Sequence, residues 1–167
     1  MYHSQGEYDQ AEEYQKKALV MSKEIGDRNG EATCYGNLGN VHQCLGEYGK
    51  AEEYQQKALA MSKEIGNRKG EATCYGNLGN VYHSLCEYGK AGEYQKKALA
   101  ITKEIGDRKG EATCYGNLGN VYQCDGEYDK AEKYQKIGDR KGEALCYGNL
   151  RTVYTALGEY GKVADWR

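Results

Sequence analysis

The sequence predicts an all-α protein, an array of antiparallel helix pairs stacked into a right-handed α-α superhelix. Three observations carry this expectation. The string Gly-Glu-Ala-Thr-Cys-Tyr-Gly-Asn-Leu-Gly-Asn-Val starts at Gly30 and again at Gly70 and Gly110, a period of 40 residues. There is no Pro to remove a backbone donor from a helix. Apolar residues recur in steps of three and four, which lines one face of a helix. A helical pair of this size cannot bury its apolar face alone, but stacked neighbours can.

Residues 1–27 read as a partial repeat consisting of a second helix. Tyr2, Gly6, Tyr8, Ala11 and Ala18 align with Tyr82, Cys86, Tyr88, Ala91 and Ala98, so Tyr2 belongs to the tail of a first helix and Gly6 to a turn. Residues 28–67 and 68–107 are full repeats. In the former, Ala32, Tyr35, Leu38, Gly39, His42 and Leu45 mark a first helix, and Tyr48, Ala51, Tyr54, Ala58, Met61 and Ile65 a second. Gly46 sits between them, where a tight turn needs a residue without a Cβ. Gly66 stops the second helix, and Asn67, with Asp27 and Asp107 at the same place elsewhere, can cap the next one. Glu12–Lys16, Glu13–Lys17, Glu53–Lys57 and Glu93–Lys97 are favourable pairs four residues apart. Gly39 with Ala51, and Gly79 with Ala91, are small where the helices of one pair should touch, and Tyr35, Tyr48 and Tyr54 supply the bulk.

The array becomes irregular towards its end. Residues 108–139 form a repeat with a shortened second helix, because Lys136 runs into Ile137-Gly138 without the equivalent of Lys97 to Glu104. Residues 140–167 form a degenerate, truncated repeat whose motif restarts at Gly142, 32 residues after Gly110. Eight missing residues amount to about 12 Å of helix and about 80° of rotation. Arg151 replaces the close-packing glycine there, and Val163 the small alanine.

Composition excludes several functions. A net charge of −2 gives no electrostatic case for nucleic acid or an anionic membrane. No stretch approaches the roughly 18 apolar residues of a membrane span, and Met1 to Gly6 is unlike a signal peptide, so a cytoplasmic location is expected. Cys34, Cys74, Cys114 and Cys146 share one place in successive first helices and read as small buried hydrophobes. There is no C-x-x-C, and His3, His42 and His83 never stand at ligand spacing with a Cys, so neither metal nor other cofactor is expected. Gly46-Glu47-Tyr48-Gly49-Lys50 is too short for a phosphate loop and has Ala51 where a hydroxyl should bind magnesium. No Ser, His and Asp constellation stands out. The chain does not read as an enzyme.

The spacing Tyr35, Leu38-Gly39, His42, Gly46-Glu47-Tyr48, Ala51 and Ala58-Leu59 resembles the tetratricopeptide repeat, with Tyr82 and Tyr122 matching better where His42 stands. The forty-residue form with Gly-Asp-Arg-x-Gly-Glu-Ala is similar to that of the Pins/LGN-type G-protein-signalling modulators and of tetratricopeptide repeat protein 28. The resemblance implies a single tetratricopeptide array over 1–167, a non-enzymatic scaffold whose first helices line a concave groove for a protein or peptide segment. It carries the groove onto Asn37 and Asn40, Asn77 and Asn80, Asn117 and Asn120, and Asn149, with Gln43, His83 and Gln123 one turn further on. An Asn amide both donates and accepts, which suits reading an extended backbone. The competing reading is that the asparagines solvate a surface or pin adjacent repeats, in a spacer with no ligand of its own. Lys or Arg of a carboxyl-terminus clamp is missing, since Thr33, Thr73, Thr113 and Gly36, Gly76, Gly116 stand there, and the nearest cations are Arg28, Arg68, Arg108 and Arg140. Uncapped ends also suggest self-association.

The mis-set last pair predicts that residues 128–167 exchange their amide hydrogens fastest. Uniform protection through that stretch would contradict the expectation.

Overall fold

The computed structural model describes residues 2–137. There the chain runs through α1 (Tyr2–Ile25), α2 (Arg28–Cys44), α3 (Tyr48–Glu64), α4 (Arg68–Ser84), α5 (Tyr88–Glu104), α6 (Arg108–Cys124) and α7 (Tyr128–Lys136), with no strand among the described residues. The pairs α2–α3, α4–α5 and α6–α7 are the helical hairpins of the repeat.

Each first helix begins for the same reason. The side chains of Asp27, Asn67 and Asp107 accept from the backbone N–H of Gly30, Gly70 and Gly110, each at 2.9 Å, satisfying a donor that the first turn leaves unpaired. Each hairpin turns through a left-handed residue, Gly46 at φ +75° and Gly126 at φ +78°. At the turn between α4 and α5 Cys86 takes this place at φ +59°, a conformation that costs a non-glycine residue roughly 1–2 kcal/mol.

Packing inside a hairpin repeats almost atom for atom. Leu38, Leu78 and Leu118 are fully buried, as are Ala51, Ala91 and Ala131 on the facing helices. The ring of Tyr54 lies between Tyr35, 6.2 Å away, and His42, 5.2 Å away and parallel within 1°. Tyr94 sits likewise between Tyr75 and Tyr82, and Tyr134 between Tyr115 and Tyr122. Such pairs add to the area their rings bury. Gly39 marks the closest approach: a Cβ there would stand 2.7 Å from Gln55 Nε2 and 2.9 Å from its Cγ. Gly79 meets Gln95, and Gly119 meets Gln135, in the same way.

Three of the four expected ion pairs form, with Lys16, Lys17 and Lys57 each 2.6 Å from their glutamates. Lys97 instead lies 5.0 Å from the centre of the Tyr94 ring and 5.8 Å from that of Tyr75, a cation over two aromatic faces.

The beginning of the chain differs from the sequence expectation. Gly6 lies inside α1, which continues through the place of a turn, and its φ is not positive. The turn at Gly46 is closed by the N–H of Glu47 donating to the His42 carbonyl, with α2 and α3 packed against each other. Among the described residues no first helix packs on α1 in that manner, so continuing the helix satisfies its backbone. One face of α1 is accordingly open: Met21 is 64% exposed, whereas its counterpart Met61 is 8% exposed.

The skipped stretch shows directly in α7, which has 9 residues where α3 and α5 have 17. Arg28 reaches Glu64 at 2.7 Å across its hairpin, and Arg68 makes the same bond to Glu104. The third copy of that glutamate falls in the skipped stretch. Arg108 therefore reaches Glu111 at 3.9 Å, and its side chain is 78% exposed against 45% for Arg28. The repeat expected over 140–167, with Arg140, Cys146, Asn149, Arg151 and Val163, lies outside the described residues.

Two glycines with opposite surroundings test this packing. Gly39→Ala should overpack the hairpin against Gln55 and lower stability by about 1–3 kcal/mol. A Cβ at Gly92 would meet Val121 and Tyr122 at ordinary contact distances of 3.8 and 4.0 Å. Gly92→Ala should therefore stabilise by roughly 0.5–1 kcal/mol, through helix propensity. Urea titration followed by circular dichroism reads both. Equal effects of the same sign would refute the account.

Candidate functional site: a polar groove along the first helices

The first helices α2, α4 and α6 stand side by side, and a groove runs along them. A hollow of about 270 Å³ between α2 and α4 is lined by Thr33, Asn37 and Asn40, among others, and one of about 370 Å³ between α4 and α6 by Asn80, Thr113 and Asn117. Lys69, Thr73 and Asn77 belong to both, so the two hollows adjoin.

Five of the residues expected at the groove are brought together there: Asn37, Asn40, Asn77, Asn80 and Asn117. Asn120 is exposed on α6, outside both linings. Gln43, His83 and Gln123 are half-buried and also stand outside them. His83 packs edge-on against Tyr88, ring centres 5.6 Å apart.

Beneath the asparagines lies a feature that the sequence reading missed. Gln55, on the second helix, is completely buried, and its Nε2 donates to the Gly36 carbonyl and to Asn40 Oδ1, both at 2.9 Å. Its Oε1 accepts from Asn77 Nδ2 of the next repeat at 3.3 Å. Both polar atoms of that carboxamide have partners. Gln95 repeats the donor half, to Gly76 and Asn80, and Gln15 accepts from Asn37 at 3.2 Å. Glutamine at 15, 55, 95 and 135 shares the forty-residue period and could have signalled this network.

The arginines at the starts of the first helices are engaged by carboxylates away from the groove wall. Arg28 and Arg68 are held by Glu31 with Glu64 and by Glu71 with Glu104. The cations on the groove wall are Lys69 and Lys109, with Asp107 close by as a helix cap. The Thr33, Thr73 and Thr113 hydroxyls donate to the carbonyl one turn back. Carboxamides are therefore the commonest polar side chains on the wall. Outside it, Tyr82 donates to Glu52 Oε1 at 2.6 Å, and that bond, with burial, lifts the phenol well above its usual pKa. Burial pushes the Cys74 and Cys114 thiols up to about 11.

Among the described residues no cluster of three His, Cys, Asp or Glu could hold a metal, and no helix is long and apolar enough to cross a membrane. Paired helices stacked so that their first helices stand side by side define a helical-repeat solenoid. Residues 1–64 and 70–136 match the tetratricopeptide repeat family, and the chain belongs to it.

Solved structures share the fold. BtubC (BKLC) from P. vanneervenii superposes with a TM-score of 0.82 at 24% identity, over 98% of this chain and 71% of that one. A signal transduction ATPase with numerous domains from Pyrococcus horikoshii, which carries a tetratricopeptide repeat sensor, gives 0.75 at 25% identity over 95% of this chain. This chain spans only 28% of that protein. A Rap protein complexed with competence and sporulation factor gives 0.74 at 18% identity over 98% of this chain and 58% of that one. No curated protein shows significant sequence similarity to the chain.

The burial of the shared cysteine position has a chemical consequence. A thiol with a pKa of about 11 is thiolate to roughly one part in a thousand at pH 8. Iodoacetamide at pH 8 should thus alkylate exposed Cys44 and Cys124 well before Cys74 and Cys114, as read by peptide mass mapping. Folded Cys74 keeps its proton to higher pH than the unfolded chain does, so its contribution to stability is present below pH 9 and lost towards 11. Equal labelling of all four would contradict this burial.

Proposed function

We propose that the protein is a non-enzymatic interaction scaffold that takes an extended peptide or partner segment in the groove along α2, α4 and α6. The observation that carries this is that the two hollows adjoin at Lys69, Thr73 and Asn77, with Asn37, Asn40, Asn80 and Asn117 on their walls. A wall of this kind offers donors and acceptors to a backbone while making little demand on side-chain charge. The Rap protein complexed with competence and sporulation factor supports the reading as a relative of the same fold with a bound factor. On this reading the chain works in the cytoplasm. The forty-residue form of its repeat supports a role as an assembly or polarity adaptor like those of the Pins/LGN type and the tetratricopeptide repeat protein 28 type.

A second reading, a spacer within a longer array, draws on the same asparagines. Asn37, Asn40, Asn77 and Asn80 are already engaged by glutamines within the protein.

Peptide display separates the two. Random twelve-residue peptides selected on the wild type should lose binding to Thr73→Trp/Thr113→Trp, which fills the groove from two exposed positions without touching the core. Helix content by circular dichroism should stay unchanged. Failure to select any peptide, or selected peptides that bind the double variant equally well, would sink the groove reading and favour the spacer.

A further inference from the structure

The three steps of the carboxamide ladder are not equivalent. At the first, Asn37 Nδ2 donates to Gln15 Oε1 at 3.2 Å, and at the second Asn77 Nδ2 donates to Gln55 Oε1 at 3.3 Å. At the third the partners would be Asn117 and Gln95, and the bond is not made. Gln95 is 1% exposed and is held by its Nε2, which donates to the Gly76 carbonyl at 2.9 Å and to Asn80 Oδ1 at 3.1 Å. Its Oε1 is buried and has no donor. A buried carbonyl without a donor is unfavourable, and native proteins leave few of them. Both Gln95 and Asn117 line the larger hollow, between α4 and α6.

A second feature of the same hollow points to an occupant. Gly76 lies in the middle of α4, where glycine weakens a helix. Unlike Gly79 three residues on, whose Cβ would collide with Gln95, Gly76 has no packing need to be glycine: a Cβ there would meet nothing within 4 Å. It lines the hollow, so the missing side chain leaves room in the groove.

We propose that the α4–α6 hollow is the anchor subsite of the groove. It takes one peptide unit of an extended partner segment, with Gly76 leaving space for its approach. The unit's N–H donates to Gln95 Oε1, and its carbonyl accepts from the Asn117 amide, which turns aside to admit it. A peptide group is the simplest ligand with one donor and one acceptor so placed, and it completes the ladder that Asn37 and Asn77 complete internally at the other steps. Lys69, Lys109 and Asp107 on the same wall carry mixed charge, which leaves the backbone as the common element recognised. This inference rests on the groove-binding reading and localises it.

N-methylacetamide, a single trans peptide unit, is the probe. Titrated into ¹⁵N-labelled full-length protein, it should shift the side-chain amide signals of Asn117 and Gln95 and the backbone amide of Gly76, at least threefold more than those of Asn37, Gln55 and Gly36, which line only the other hollow. N,N-dimethylacetamide, which lacks the N–H, should leave Gln95 unmoved. Gly76→Ala should keep the fold, with a raised melting temperature, and lose the response. Gly89→Ala, on α5 away from the groove, should retain it. Equal shifts in the two hollows, the same response to both amides, or a wild-type response in Gly76→Ala would each overturn the proposal. Should peptides be selected and blocked by the Trp pair while this titration fails, the groove reading stands and the anchor subsite falls.

Discussion

The contact on which the rest of the structure depends is the one between Gly39 and Gln55, with its copies at Gly79–Gln95 and Gly119–Gln135. A glycine on the first helix lets the second come so close that a glutamine side chain is sealed between them. Burying a carboxamide is unfavourable unless its donors and acceptor are satisfied. Gln55 meets that condition through the Gly36 carbonyl and Asn40 in its own hairpin and through Asn77 in the next. Close packing inside a hairpin and alignment between hairpins are thus consequences of one network. A slip of one repeat against another would break the Asn77–Gln55 bond as well as misplace apolar surface.

At the other end of each hairpin, charge plays a similar part less forcefully. Arg28 and Arg68 tie the start of a first helix to the end of the second helix paired with it. Exposed pairs of this kind contribute little each, typically up to about 1 kcal/mol. Their repetition is nonetheless a register mark. In the third hairpin α7 ends before the position of the matching glutamate, and Arg108 turns to solvent. The same eight-residue gap removes the counterparts of Ala98, Leu99, Ile101 and Thr102, which are buried in α5. Loss of packing, more than loss of an ion pair, makes the third hairpin different from the first two.

The groove follows from this construction. Because the glutamines anchor the asparagines from below, the amides on the groove wall are held in defined places by bonds to a rigid floor. An ordered polar wall loses less conformational freedom on binding than a flexible one. The same tethering limits what the asparagines can offer a ligand, and it makes the step at Gln95 and Asn117, where no bond forms, chemically distinct from those at Asn37 and Asn77. Repeat arrays contact only their neighbours, so a difference between two adjacent hairpins can persist without disturbing the rest.

Much of the fold was legible in the residues. The period placed the hairpins, the caps at Asp27, Asn67 and Asp107 marked where first helices start, and Gly46 marked a turn, because these are local signals that act within a few residues of themselves. The gap after Lys136 was visible for the same reason. The turn expected at Gly6 failed because a hairpin turn forms against a packed partner, and α1 has none on that side among the described residues. Arg28 and Arg68 looked like free cations because their carboxylates lie 36 residues away. The burial of Gln55 and Gln95 was not legible, because the polarity of a glutamine does not tell whether the helix opposite carries a glycine at the matching height. Sequence by itself determined the helices, their pairing and the line of asparagines. Which of those amides are occupied from beneath and which remain open was decided only by tertiary structure, since it depends on distances between side chains 15 to 22 positions apart that stacking alone brings together.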